Sequence, residues 1–211
     1  MEQVAPGIFH WSATHPDIQM RVSSYYVEPA GIVIDPLEPD EGMGFFDALE
    51  APPQQVVLTS GLHWRHSDRF RDRYDATIRA PSKSLHRFEG TDRRPQPYDF
   101  GDEVAPAVTA IEIGGICPDD TALHVGHGPG AVAFADGLTR MRGTLGFVPD
   151  TLWEDPRAEQ QVVLNSLRGV LERDFDVLLF AHGEPLARGG HAALAEFVDG
   201  QSGAPDFGHT S

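Results

Sequence analysis

Short apolar runs separated by turn-forming residues punctuate the chain, and their periodicity assigns most of its elements. Residues 4–11 read as a first strand entered through Pro6-Gly7. Residues 22–27 and 32–34 form a strand pair about Glu28-Pro29-Ala30-Gly31, where proline and glycine supply the turn dihedrals, and Asp35-Pro36 ends the second. Phe45, Phe46 and Leu49 predict a short helix stopped by Pro52-Pro53. The run 56–58 is a buried strand, followed by a helix over about 68–74 for which Ser67 is a candidate N-cap. A short strand at 77–79, a short helix at 82–88 after Pro81 and a polar loop over 90–96 complete the first half.

The second half repeats that rhythm. Residues 108–113, 122–125 and 132–135 read as strands, the last two joined by the glycine-rich turn 126–130, and 137–155 as irregular. Residues 156–173 give the clearest helix, with Val163, Leu164, Leu167, Val170 and Leu171 on one face and proline in its first turn. A buried strand at 177–180, a turn at His182-Gly183 and a helix at 192–198 follow. The order implies an α/β domain over 1–199, with two sheets face to face and helices outside, and a flexible tail over 200–211.

Composition narrows the function. A net charge of -16 over 211 residues argues against nucleic acid or an anionic membrane as partner, since both demand excess positive potential. No apolar run approaches a membrane span, the start lacks a signal-peptide pattern, and one cysteine, Cys117, makes no internal disulfide, so a cytoplasmic protein is expected. Residues 65–94 are locally basic. Asp68, Asp72 and Asp75 interleave with Arg69, Arg71 and Arg73, which predicts paired surface charges; the alternative is a positive rim that attracts an anionic small molecule.

The strand ends carry the chemistry. Ile32-Val33-Ile34-Asp35, Val56-Val57-Leu58-Thr59, Phe134-Ala135-Asp136-Gly137 and Phe180-Ala181-His182-Gly183 together resemble the metallo-β-lactamase superfamily, mostly metal-dependent hydrolases. The resemblance implies a four-layer αββα sandwich with two mixed β-sheets flanked by helices. It implies that Asp35 orients the site from behind, and that Asp136 and His182 are catalytic metal ligands.

The departures concern the family's H-x-H-x-D-H motif. With Thr59 in register, its four positions fall on Ser60, Leu62, Trp64 and Arg65, none of them a ligand. Shifted by four, they fall on Trp64, His66, Asp68 and Arg69. His63 and His66, three apart, are able to share a metal within one helical turn. Ile116 stands where the family's next histidine would be, with Cys117 one step later. Two metals need about six ligands, so this donor count allows one divalent ion (zinc, iron or manganese) at most.

The expected metal ligands are therefore His63, His66, Asp136 and His182. Asp35, Arg65, Cys117 and Glu184 are expected around them or on the substrate. The leading expectation is a hydrolase with a reduced metal site acting on a small, anionic substrate. The alternative is a metal-free member that binds a ligand or partner, with Leu62, Trp64 and Ile116 filling the pocket where ligands normally stand. For Phe147, Val148, Leu152 and Trp153, a lid over the site and a homodimer contact are both open.

Overall fold

Gly7, at φ +73°, turns the first apolar run back on itself, so residues 4–11 belong to two strands and not one. The computed structural model describes residues 1–202. The strands β1 (Glu2–Ala5), β2 (Ile8–Thr14), β3 (Arg21–Val27), β4 (Ile32–Ile34), β5 (Gln55–Val57), β6 (Thr77–Pro81) and β7 (Gln96–Tyr98) form a seven-stranded sheet in chain order. Pairing is antiparallel as far as β4 and parallel beyond it. The second sheet takes β8 (Glu103–Ala105), β9 (Val108–Glu112), β10 (Thr121–Val125) and β11 (Ala131–Phe134). A separate ribbon, β12 (Thr139–Met141) with β13 (Thr144–Gly146), lies in the segment expected to be irregular. The last strand, β14 (Val177–Phe180), pairs parallel with β11 and gives the order β14-β11-β10-β9-β8.

Alternation along the strands sorts apolar side chains into three layers. Tyr25, Val27, Ile32, Ile34 and Val57 from the first sheet meet Val108, Leu123, Val125, Ala133, Val177 and Leu179 from the second. Their neighbours Tyr26, Val33 and Val56 turn outward to α1 (Gly44–Asp47) and α2 (Ser67–Tyr74), packing with Phe46 and Phe70. Val132, Phe134, Leu178 and Phe180 turn outward to α3 (Pro156–Val170) and α4 (Gly190–Ser202), against Val163, Leu167, Leu194 and Val198. Strands apolar on both faces are what a sheet covered on both sides requires. The result is the four-layer αββα sandwich.

Some boundaries differ from expectation. Strands β7 and β8 carry too few apolar positions to stand out. The segment 82–88 is 3-10 helical, and α3 ends at Val170. Ser67 starts α2 but does not cap it: its hydroxyl donates to the Trp64 carbonyl at 2.5 Å, and His66 holds the cap position. Helix α4 runs on to Ser202, into the segment expected to be tail, and residues 203–211 lie outside the described residues. The first outer layer rests on Phe46, fully buried with rings of Trp11, Tyr26, Phe45 and Phe70 edge-on to it. Phe46→Ala is expected to cost about 3–5 kcal/mol in denaturant unfolding.

Candidate metal centre

The parallel register of β11 and β14 sets two functional side chains at one level. Phe134 pairs with Phe180, and Ala181 N–H donates to the Phe134 carbonyl at 2.9 Å. Asp136 and His182, each two residues further on, therefore leave neighbouring strand ends together. His182 Nε2 stands 3.1 Å from Asp136 Oδ1.

His63 arrives from the opposite sheet. After β5 the chain enters a 3-10 turn, Gly61–His63, whose start is fixed three ways. The Ser60 hydroxyl accepts from Leu62 N–H at 3.2 Å. Asp119, from the other sheet, accepts from Gly61 N–H at 2.7 Å and from the Ser60 hydroxyl at 3.0 Å. Gly61 lies so close to the following 3-10 segment that a Cβ there would sit 2.6 Å from Ser84 Cβ. The turn aims His63 Nε2 at Asp136 Oδ1, 3.4 Å away. The sheets are joined at this level by backbone hydrogen bonds from Ser23 to Ala181 and from Thr121 to Thr59.

Asp35, at the end of β4, holds His63 and Thr59 in place. Its Oδ1 accepts from Thr59 N–H at 2.8 Å, and Oδ2 accepts from the Thr59 hydroxyl and from His63 Nδ1 at 2.9 Å. An ionised carboxylate only accepts, so His63 Nδ1 carries a proton, and Nε2 is the nitrogen that faces Asp136, with a lone pair in the neutral ring and a proton in the imidazolium. Burial alone would lower the His63 pKa, but Asp35 and Asp136 outweigh it and push it up to about 10. Burial alone would likewise raise Asp136, yet His63 and His182 hold it well below the usual carboxylate range.

These atoms fit a shared cation. One ligand atom from each of His63, Asp136 and His182 lies within 4.8 Å of the others. Asp136 Oδ1 and His182 Nδ1 are buried without a hydrogen-bonded partner, although Oδ1 has two imidazole nitrogens close by. Contact distance without N–H groups directed at the oxygen is what ligands grouped around an ion show. Two imidazoles and a carboxylate suit zinc or ferrous iron.

Other expected members stand elsewhere. His66 is turned away, its Nδ1 accepting from Glu38 N–H at 3.0 Å, so it is not in the trio. Asp68 accepts from the Trp64 indole at 2.8 Å. Neither motif register holds, since His63 occupies no motif position in either. Arg65, at φ +44°, points inward and donates to the carbonyls of Ser23 and Asp35 at 2.7 and 2.6 Å. Within the expected interleaved set only Arg71 pairs, with Asp68 and Asp72, while Arg69 pairs with Glu38 and Arg73 with Asp47, both outside the helix.

Cys117 is a buried thiol 4.0 Å from the Ser60 hydroxyl, and burial, with Asp120, Asp119 and Asp136 nearby, pushes it up to about 12. Glu184 is exposed and groups with Glu2 and His10 rather than with the trio. Leu62, Trp64 and Ile116 do not fill one pocket. Leu62 is 57% exposed, Trp64 is buried under α2, and Ile116 packs toward α3. Of the four residues open to a lid or dimer role, Trp153 is buried and packs edge-on against Phe147, while Leu152 is exposed.

Two aspartates were not anticipated. Asp119, besides pinning the 3-10 turn, accepts from Arg87 at 3.2 Å. Asp120 Oδ2 accepts from the backbone N–H groups of Asp136 and Gly137 at 3.1 and 3.0 Å, which fixes the loop bearing Asp136. Burial, with the charge of Asp136 adding to it, raises the Asp120 carboxyl well above its ordinary value. The sequence signal was Asp119-Asp120 before an apolar strand, where a buried acid pair is rare without partners.

No protein-family model matches the sequence, and no curated protein matches it at the sequence level. Solved structures do match. A metallo-beta-lactamase family protein from Thermus thermophilus superposes with a TM-score of 0.66 at 16% identity, over 95% of this chain and 81% of that one. TTHA1623, solved in a di-iron-bound form, gives a TM-score of 0.65 at 20% identity, over 87% of this chain and 96% of that one. A metallo beta lactamase from Erythrobacter litoralis gives 0.68 at 14% identity, over 94% and 95%. With the layer order, the sheet topology and three donors gathered at the strand ends, these likenesses establish that the chain has the metallo-β-lactamase fold.

Proposed function

We propose that His63, Asp136 and His182 hold one divalent metal ion and that the chain is a hydrolase of small molecules built on this reduced centre. The observation that carries the reading is the cation-shaped gap. Three donors from both sheets converge, Asp136 Oδ1 is buried and unbonded between the two imidazoles, and Asp35 holds His63 so that Nε2 is the nitrogen directed inward. A bound zinc, iron or manganese ion would supply Lewis acidity and lower the pKa of water toward neutrality. The chain's part is orientation: Asp35 fixes His63, Asp120 fixes the Asp136 loop, and the sheet register fixes His182. An anionic substrate finds no support in Arg65 and Arg69, whose guanidinium groups are engaged with backbone carbonyls and with Glu38.

A second reading rests on one observation. With His63 pushed up to about 10, a proton on Nε2 fills the same gap, giving a metal-free imidazolium between two carboxylates. That arrangement suits a chain that binds a ligand or partner without catalysis. Metal analysis of tag-free protein prepared without chelator separates the readings. The expected result is zinc, iron or manganese in the wild type, with one equivalent lost in Asp136→Asn and in His182→Gln. Equal metal content in all three proteins would exclude the metal centre.

A further inference from the structure

A second group of donors lies on the far side of Ser23 from the trio. His10, on β2, is 4% exposed, and its Nε2 stands 3.0 Å from the Ser23 hydroxyl. That hydroxyl has one proton and donates it to the Gly183 carbonyl at 2.9 Å, so it must accept from His10. His10 Nε2 therefore carries the hydrogen, and in the neutral ring Nδ1 presents a lone pair. What Nδ1 faces is acidic. Glu2 Oε1 is 3.6 Å away, too far for a hydrogen bond, and a carboxylate oxygen of Glu184 completes a set of atoms mutually within 4.8 Å.

The cations near the group are engaged with other partners. The group opens into a cavity of ≈ 410 Å³ lined also by Arg21, Asp40 and Glu41. Arg21 pairs with Asp40 at 3.5 Å, and the terminal amine pairs with Glu41 at 2.7 Å. Arg140 Nη1 donates to the backbone carbonyls of Glu184 and Pro185, at 3.3 and 3.2 Å, and not to the Glu184 carboxylate. A histidine locked by a hydrogen bond from its far nitrogen, with its near lone pair aimed between two carboxylates, has the arrangement of a metal-ligating imidazole.

We propose that Glu2, His10 and Glu184 form a second divalent-cation site, with one nitrogen and two carboxylate donors suited to zinc, which ties the edge strand β1 to the loop that carries His182. The link runs through Ser23, whose hydroxyl joins His10 to Gly183 and whose N–H holds Ala181. An ion at this site would therefore restrain His182 without touching it.

The test is calorimetric titration of Zn²⁺ into tag-free, metal-stripped full-length chain. Glu2 and Glu184 are exposed, so Glu2→Gln/Glu184→Gln leaves the fold intact. The double variant should lose one equivalent of zinc, or bind it about tenfold or more weakly, and Asp136→Asn should retain that equivalent. If the trio holds no metal, the wild type binds a single equivalent that the double variant loses, and this proposal stands alone. Wild-type stoichiometry and affinity in the double variant would overturn it, whatever the trio does.

Discussion

Asp35→Asn is expected to weaken metal binding about 10–100-fold and to destabilise the metal-free protein by about 3–5 kcal/mol. The exchange is nearly isosteric, so the effect comes from hydrogen placement. Asp35 accepts three hydrogens, from Thr59 N–H, the Thr59 hydroxyl and His63 Nδ1. An asparagine whose oxygen stays on Thr59 N–H turns its NH₂ toward His63 Nδ1. The imidazole must then accept there and carry its proton on Nε2, which removes the lone pair from the gap beside Asp136. The flipped amide is no better, because its NH₂ would face the Thr59 N–H. Without metal, the variant also loses a buried carboxylate that neutralises the His63 imidazolium, and a buried charge robbed of its partner is costly. Calorimetric titration with zinc and urea unfolding read the two effects. Wild-type values in both would refute the role assigned to Asp35.

How far this centre was legible follows from what each residue depends on. Asp35, Asp136 and His182 stand at the ends of strands apolar on both faces, and a strand end is visible in sequence because the apolar run stops there. The four-layer fold was legible for the same reason. His63 was legible as a candidate but not as the one that enters the site. Its direction depends on a 3-10 turn set by Ser60, Gly61 and Asp119, and a motif spacing learned from other turns misplaces it. His66 looked equivalent until α2 turned it toward Glu38. Asp119 and Asp120 were not read because they act by accepting backbone N–H groups across the structure, which no spacing encodes. Strands β7 and β8, each three residues long, and the β12–β13 ribbon bury too few side chains to leave a pattern. His10 carries no motif at all; its meaning appears only with Ser23, Glu2 and Glu184 around it.

Gly183→Ala is expected to lower stability by about 3 kcal/mol or more and the melting temperature by roughly 6–12 °C. Gly183 sits at φ +105°, where a side chain strains the backbone, and a Cβ there would fall 2.1 Å from the Arg140 carbonyl oxygen and 2.5 Å from its carbon. Those are backbone atoms, tied in place because Arg140 N–H donates to the His182 carbonyl at 3.1 Å and β12 bridges to Gly183. Relief therefore requires the loop itself to move, and the loop carries His182 on one side and Glu184 on the other. Both proposed cation sites should weaken together, which neither Asp136→Asn nor Glu2→Gln/Glu184→Gln does. Gly169→Ala is the matched control. Gly169 is exposed near the end of α3 with nothing within 4 Å of an added Cβ, so alanine there should stabilise by about 0.5–1 kcal/mol. If Gly183→Ala melts and binds zinc as the Gly169→Ala protein does, the close approach of Arg140 does not set the position of His182.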